Sequence, residues 1–184
     1  GHSNQVTGVA FHPGGQQLVS TSRDATARLW QIDGTLLYKF SGYSTFGAAF
    51  SPDGQTLAIG YADAVRIYRI SDLSLVSSLP SADVVSHLVY SPDGQLLASS
   101  SDLWHVGEAR HIYHFQSSGD TPAFTNDGLA LFIGRRTWRI SNGKLIGEME
   151  SPLPEMLRTN DVWDSLDISL DGGTLAWGTP EGLY

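Results

Sequence analysis

One phrase of the chain recurs five times, and that recurrence constrains the fold more than any other feature. Phe11-His12-Pro13-Gly14-Gly15, Phe50-Ser51-Pro52-Asp53-Gly54, Tyr90-Ser91-Pro92-Asp93-Gly94, Phe124-Thr125-Asn126-Asp127-Gly128 and Ile168-Ser169-Leu170-Asp171-Gly172 follow one another at spacings of 39, 40, 34 and 44 residues. Four positions after the first residue of each copy stands Gly, and seven positions after it stands Leu: Leu18, Leu57, Leu97, Leu131 and Leu175. Pro presets φ for a turn, Asp bonds its own backbone and Gly takes positive φ without a Cβ clash. The phrase is therefore a tight turn between two strands.

The flanking segments read as those strands. Residues 6–11, 46–50 and 84–90 lead into the turn, and Leu18-Val19-Ser20 and Leu57-Ala58-Ile59 leave it. A third strand ends on an aromatic residue at Trp30, Tyr68 and Trp138, and segments such as Leu36-Leu37-Tyr38-Lys39-Phe40 supply a fourth. In the third copy the spacing places the third strand at Ile112-Tyr113, after a long turn over residues 101–110. Four antiparallel strands per roughly 40 residues make the blade of an all-β propeller. A β-sandwich would share the alternation but would not keep Leu and Gly at fixed offsets five times. The reading is a single propeller segment over 1–184, with blades near 1–40, 41–80, 81–118 and 119–150 and an incomplete fifth over 151–184. Closing a ring of about seven such blades needs more chain, so the remaining blades of a longer parent are expected.

Composition excludes several partners. Eleven Lys and Arg against nineteen Asp and Glu give a formal charge of -8, with the basic residues scattered singly. No basic stripe follows a phosphate backbone, so nucleic acid is not an expected partner. The chain has no Cys, no apolar run of membrane-spanning length and no signal-peptide layout at its start, so neither a membrane nor a thiolate metal site is expected. A cytoplasmic setting is the matching expectation.

The first forty residues carry a specific resemblance. A Gly1-His2 pair, a strand, the turn phrase, Ser20-Thr21-Ser22-Arg23-Asp24 and the Leu29-Trp30 end resemble a Trp-Asp (WD) repeat nearly word for word. The resemblance extends more loosely along the rest of the chain. It implies a WD-repeat β-propeller fragment of about four blades plus the start of a fifth, acting as a platform for other proteins. It also implies a structural hydrogen-bond network of His2, Ser20 (or Ser22), Asp24 and Trp30. In the second copy Tyr43 and Tyr68 replace the His and Trp, while Asp63 keeps the offset of Asp24. The Ser-Pro-Asp-Gly-Gln phrases resemble bacterial members in which such a segment is the sensor end of a larger protein.

Three chemical readings compete with structure. His2, Ser20 and Asp24 have the composition of a nucleophilic triad, but no nucleophile elbow or oxyanion-forming helix start accompanies them. His105, His111 and His114 suggest zinc, yet strand parity sends positions 111 and 114 to opposite faces. Trp138 and Trp177 read as inter-sheet filling. Trp104 and Trp163 fall in irregular segments, where binding a partner and tucking under their own loops remain open. No catalytic residue, cofactor or metal is implied.

The resulting expectation is a protein-protein interaction scaffold or regulatory module that binds a peptide or partner domain through rim loops. The resemblance places Asn4, Gln5, Arg23, Tyr43, Ser44 and Phe46 near that rim, with Trp104 as an outlying candidate, each set against the plain alternative of a solvated loop residue. The rival from another class is a propeller hydrolase with its site in the central channel.

Overall fold

The computed structural model describes residues 1–42, 46–115, 121–134 and 136–148, together with the backbone of three further strands between 165 and 183. Among the described residues there is no helix, and the chain forms a succession of antiparallel sheets. Blade 1 is β1 (Val6–Phe11), β2 (Gln17–Ser22), β3 (Thr26–Gln31) and β4 (Leu36–Ser41). Blade 2 is β5 (Gly47–Phe50), β6 (Thr56–Gly60), β7 (Ala64–Arg69) and β8 (Leu75–Pro80). Blade 3 is β9 (Val89–Tyr90), β10 (Leu96–Ala98), β11 (Asp102–His105) and β12 (Arg110–His114). Blade 4 is β13 (Pro122–Phe124), β14 (Ala130–Ile133), β15 (Arg136–Arg139) and β16 (Lys144–Glu148). A further sheet holds β17 (Ser165–Ile168), β18 (Leu175–Thr179) and β19 (Gly182–Leu183). The first strands β1, β5, β9, β13 and β17 lie against one another in chain order, the inner wall of a propeller.

The turn phrase closes the first hairpin of blades 2 to 4 in one way. The Ser51 hydroxyl donates to Asp53 at 2.5 Å and accepts from the Thr56 amide, and Asp53 accepts from the Gln55 amide at 2.9 Å. Ser91 with Asp93 and Thr125 with Asp127 repeat the pattern. Hydrogen bonds from Ser51, Ser91 and Thr125 hold these three carboxyls below the usual Asp range. Blade 1 has His12 instead of the hydroxyl. His12 accepts from the Gly14 amide through Nδ1 and donates from Nε2 to the Gly54 carbonyl at 3.0 Å, tying its turn to the next. Gly54 has φ near +70°, and a Cβ there would meet that ring nitrogen at 2.5 Å, so only Gly fits.

The repeated Leu sets the register of every blade. Leu18 faces Trp30, Leu57 faces Tyr68, Leu97 faces Trp104 and Leu131 faces Trp138 across the second and third strands. In all four blades the outermost pairing then slips by one residue beside that aromatic position, leaving Leu37, Val76, Ile112 and Ile146 as bulged residues.

Three apolar seams join the blades. Val19, Ala27, Leu29 and Phe40 pack against Phe50, Leu57, Ile59 and Tyr61. Val65, Ile67 and Leu79 meet Tyr90, Leu97 and Trp104, and Leu103 and Phe115 meet Phe124, Leu131 and Ile133. Each fully buried Leu or Ile contributes on the order of 1.5–3 kcal/mol.

The third blade corrects two sequence expectations. Its third strand is Asp102–His105, and Ile112-Tyr113 belongs to the fourth. Trp104 therefore lies in a strand, fully buried in the seam between blades 2 and 3, and is not a rim residue for a partner. The hairpin before it is short: Leu97 to Trp104 and Leu131 to Trp138 are both seven residues, against twelve from Leu18 to Trp30.

Candidate functional site

The end of blade 1 that carries the β2–β3 hairpin combines a buried polar network with an exposed rim. Asp24, its side chain only 5% exposed, is the hub. It accepts from His2 Nδ1 at 2.9 Å, the Ser3 amide at 3.0 Å, the Thr26 amide at 3.1 Å and the Thr26 hydroxyl at 2.6 Å. Arg28 adds an ion pair at 3.5 Å. A carboxylate can only accept, so His2 Nδ1 carries a proton, and in the neutral ring Nε2 accepts from the Ser20 hydroxyl at 2.7 Å. The Ser20 oxygen in turn accepts from Trp30 Nε1 at 2.8 Å. Burial pushes the Asp24 carboxyl up, but the bonds from Thr26, Ser3 and His2 outweigh it and hold the group well below the usual range. The same bonds hold the turn in which Ala25 sits at φ near +63°, a conformation costly for a residue with a Cβ.

Ser20, His2 and Asp24 thus form the hydrogen-bond order of a charge-assisted nucleophile. Access is what they lack. Ser20 is 6% exposed, and its oxygen is already engaged by the indole. A network in which every donor has its acceptor fixes strands rather than attacks a substrate.

The rim residues sit directly above this network. The Arg23 amide donates to the Gln5 carbonyl at 2.9 Å, the Gln5 amide donates to Asn4 Oδ1, and the Ser22 hydroxyl donates to the Asn4 carbonyl. Asn4, Gln5 and Arg23 are exposed and lie together on one edge. Phe46 is half-buried and lines a cavity of about 160 Å³ with Thr7, Gly47, His87 and Pro122. Tyr43, Ser44 and Trp163 lie outside the described residues, as does the side chain of Trp177. Trp138 packs on Phe115 with ring centroids 5.1 Å apart.

Blade 3 holds a second network that the sequence reading missed. Asp102, 2% exposed, accepts from the Ser81 hydroxyl at 2.8 Å and the Ser101 hydroxyl at 3.2 Å on one oxygen. Its other oxygen accepts from His111 Nε2 at 2.8 Å and His114 Nδ1 at 3.1 Å. Regular strand parity would send these two rings to opposite faces, but Ile112 is a bulged residue, so His111 and His114 return to the same side. Among the described residues no group of His, Asp and Glu is arranged to hold a metal ion. Burial raises the Asp102 carboxyl, and the hydroxyl and imidazole bonds prevail and lower it. Ser81 precedes Tyr90 by nine residues as His2 precedes Phe11, and Ser99 follows Leu97 as Ser20 follows Leu18. That spacing was the available signal.

Blades 2 and 4 have Ile59 and Ile133 at the Ser20 position. Asp63, which keeps the offset of Asp24, is 62% exposed and among the described residues pairs with Arg66 at 3.8 Å. Trp138 Nε1 is buried with no hydrogen-bond partner among the described residues. A family profile, the WD domain, G-beta repeat, matches residues 1–31 and 73–103, the two stretches that hold His2, Ser20, Asp24 and Trp30 and, in turn, Ser81, Ser99 and Asp102.

The chain carries WD repeats at residues 1–31 and 73–103.

Similar proteins agree with this. Human intraflagellar transport protein 122 homolog is 30% identical over 80% of this WD-repeat chain and 13% of its own length. Human WD repeat-containing protein 36 is 35% identical over 50% of the chain and 11% of its own length, and human coronin-7 is 39% identical over 38% and 8%. The WD-repeat chain thus spans about an eighth or less of the length of these relatives. All three are human proteins, and they lend no support to the bacterial style expected from the turn phrases.

Proposed function

We propose that the WD-repeat segment is a non-catalytic docking module, binding a peptide or a partner domain through the rim of blade 1. WD repeats and the relatives named above support a protein-interaction scaffold in general terms. The observation that carries the finer reading is the placement of Asn4, Gln5 and Arg23: exposed, adjacent, and held by backbone bonds over the buried Asp24 network. A backbone already held in place loses little entropy on binding, which favours affinity. In a longer parent, further blades would extend the same rim.

Panning a displayed library of random peptides on the immobilised chain, followed by calorimetry of the selected peptides, tests this. Arg23→Glu combined with Asn4→Ala is expected to weaken binding about tenfold or more, the loss of one good interfacial contact. Unchanged affinity would remove the site from this rim. The rival hydrolase reading is tested by Ser20→Ala: ester, peptide or phosphate turnover that disappears with this substitution would establish it.

A further inference from the structure

The histidines of blade 3 meet a chemical requirement that blade 1 does not impose. His114 lies between two carboxylates, with Nδ1 3.1 Å from buried Asp102 and Nε2 3.8 Å from Asp83. A neutral imidazole has one N–H, so with Nδ1 donating to Asp102 it turns a lone pair toward Asp83. Only the imidazolium is attracted on both sides. His111 adds a second ring on the same Asp102 oxygen at 2.8 Å. With both rings neutral the cluster holds two carboxylates and no cation; with both protonated it is balanced. Among the described residues, Ser81 and Ser101 are hydroxyls, Trp104 stands edge-on to His111 at 6.1 Å, adjacent β8 has no titratable residue, and Asp63, whose carbonyl accepts from the Ser81 amide, pairs with Arg66 at 3.8 Å. Arg110 and Glu108 pair with each other at 2.8 Å at the far end of β12.

The cluster also joins separate elements. Asp83 and Ser81 belong to the connector from blade 2, Asp102 to β11, and the two rings to the outer strand β12. Both rings are close to half exposed, 41% and 48%, so protons reach them from solvent. His2 in blade 1 differs: its side chain is 5% exposed, and its second nitrogen meets a hydroxyl, that of Ser20 at 2.7 Å, rather than a second carboxylate.

We propose that Asp83, Asp102, His111 and His114 form a proton-operated latch, which clamps the outer strand of blade 3 to the blade 2 connector as pH falls through the imidazole range. Protonation lets His114 bridge Asp102 and Asp83; deprotonation releases Asp83 to solvent and loosens the connector. The stability supplied by the latch is present at the acid end of that range and lost as pH rises. Acidification further, into the carboxylate range, reverses the effect by protonating Asp102.

Thermal melts at roughly pH 5.5 and pH 8 test the latch, these values bracketing imidazole titration. Relative to wild type, His114→Gln is expected to lower Tm by about 2–4 °C at the acid value and by much less at the alkaline one. Asp83→Asn should do the same. Nitrogen-15 spectra of the His114 ring in the wild-type chain give a readout independent of variant folding. Imidazolium shifts at the acid value and an Nδ1-protonated neutral ring at the alkaline one are expected. A ring that does not change between the two, or an equal Tm loss for His114→Gln at both, would overturn the proposal.

Discussion

Blades 1 and 3 place a buried Asp at the same end of the blade and satisfy it in different ways. In blade 1 the carboxylate is served from the residues before β1 and from its own hairpin, and the chain of bonds runs through His2 and Ser20 to the Trp30 indole. In blade 3 the shortened hairpin brings Asp102 into β11, Ser81 takes the place of His2, and the imidazoles arrive from the outer strand. Ser99 no longer reaches the indole; it accepts from the Ser101 and Asp102 amides and closes the turn. Trp104 donates across the blade seam to the Pro80 carbonyl at 3.2 Å. The requirement shared by both blades is a satisfied carboxylate, and the identity of the donors is free to vary.

The comparison is broken most forcefully at the aromatic position. Trp104→Ala opens a cavity in the core between blades 2 and 3 and is expected to cost about 3–5 kcal/mol. Trp30→Ala, at a ring half-buried among the described residues, should cost clearly less. Chemical denaturation of the two variants in parallel checks the order; equal losses would mean that Trp104 is not the core residue described.

The carboxylates come next. Asp24→Ala leaves the His2 ring without its acceptor in a site closed to water, for an expected loss of about 2–4 kcal/mol. Asp102→Ala should lose less, about 1–3 kcal/mol, because half-exposed His111 and His114 can turn to solvent. Asp63→Ala, at an exposed side chain, should stay within about 0.5 kcal/mol. Thermal melts of all three read the series, and any reordering would show that burial does not decide the worth of these groups.

Acid dependence sharpens the contrast with the smallest expected effect. Asp24 and Asp102 titrate below the ordinary range in the fold, so each contributes stability that is complete above the unfolded value, about 3.9, and is lost as pH falls through the lower folded value. Asp24→Asn should therefore flatten the loss of stability below roughly pH 4 in urea melts. A variant that parallels wild type throughout that range would show that Asp24 carries no such linkage.

Much of this molecule is legible in its residues. The five turn phrases and their fixed Gly and Leu offsets mark hairpins, because φ, hydroxyl capping and strand alternation are local properties. The blade 1 network is legible through its resemblance to a known repeat. Trp104 was misplaced because the third strand was sought at the spacing of blade 1. A hairpin five residues shorter moves that strand upstream without disturbing the turn phrase. His111 and His114 were separated because strand parity holds only in a regular ladder, and a one-residue bulge inverts it.

By itself the sequence determined the repeat, the all-β class and the hairpin at each turn phrase. Those follow from backbone preferences and from the period of hydrophobic burial, which act over a few residues. Tertiary structure decided which polar side chains meet. Ser81, Asp102, His111 and His114 come from three elements, and their convergence depends on register, on a bulge and on the length of one hairpin. A buried carboxylate takes its donors from whatever those geometries deliver, and no local pattern records the delivery.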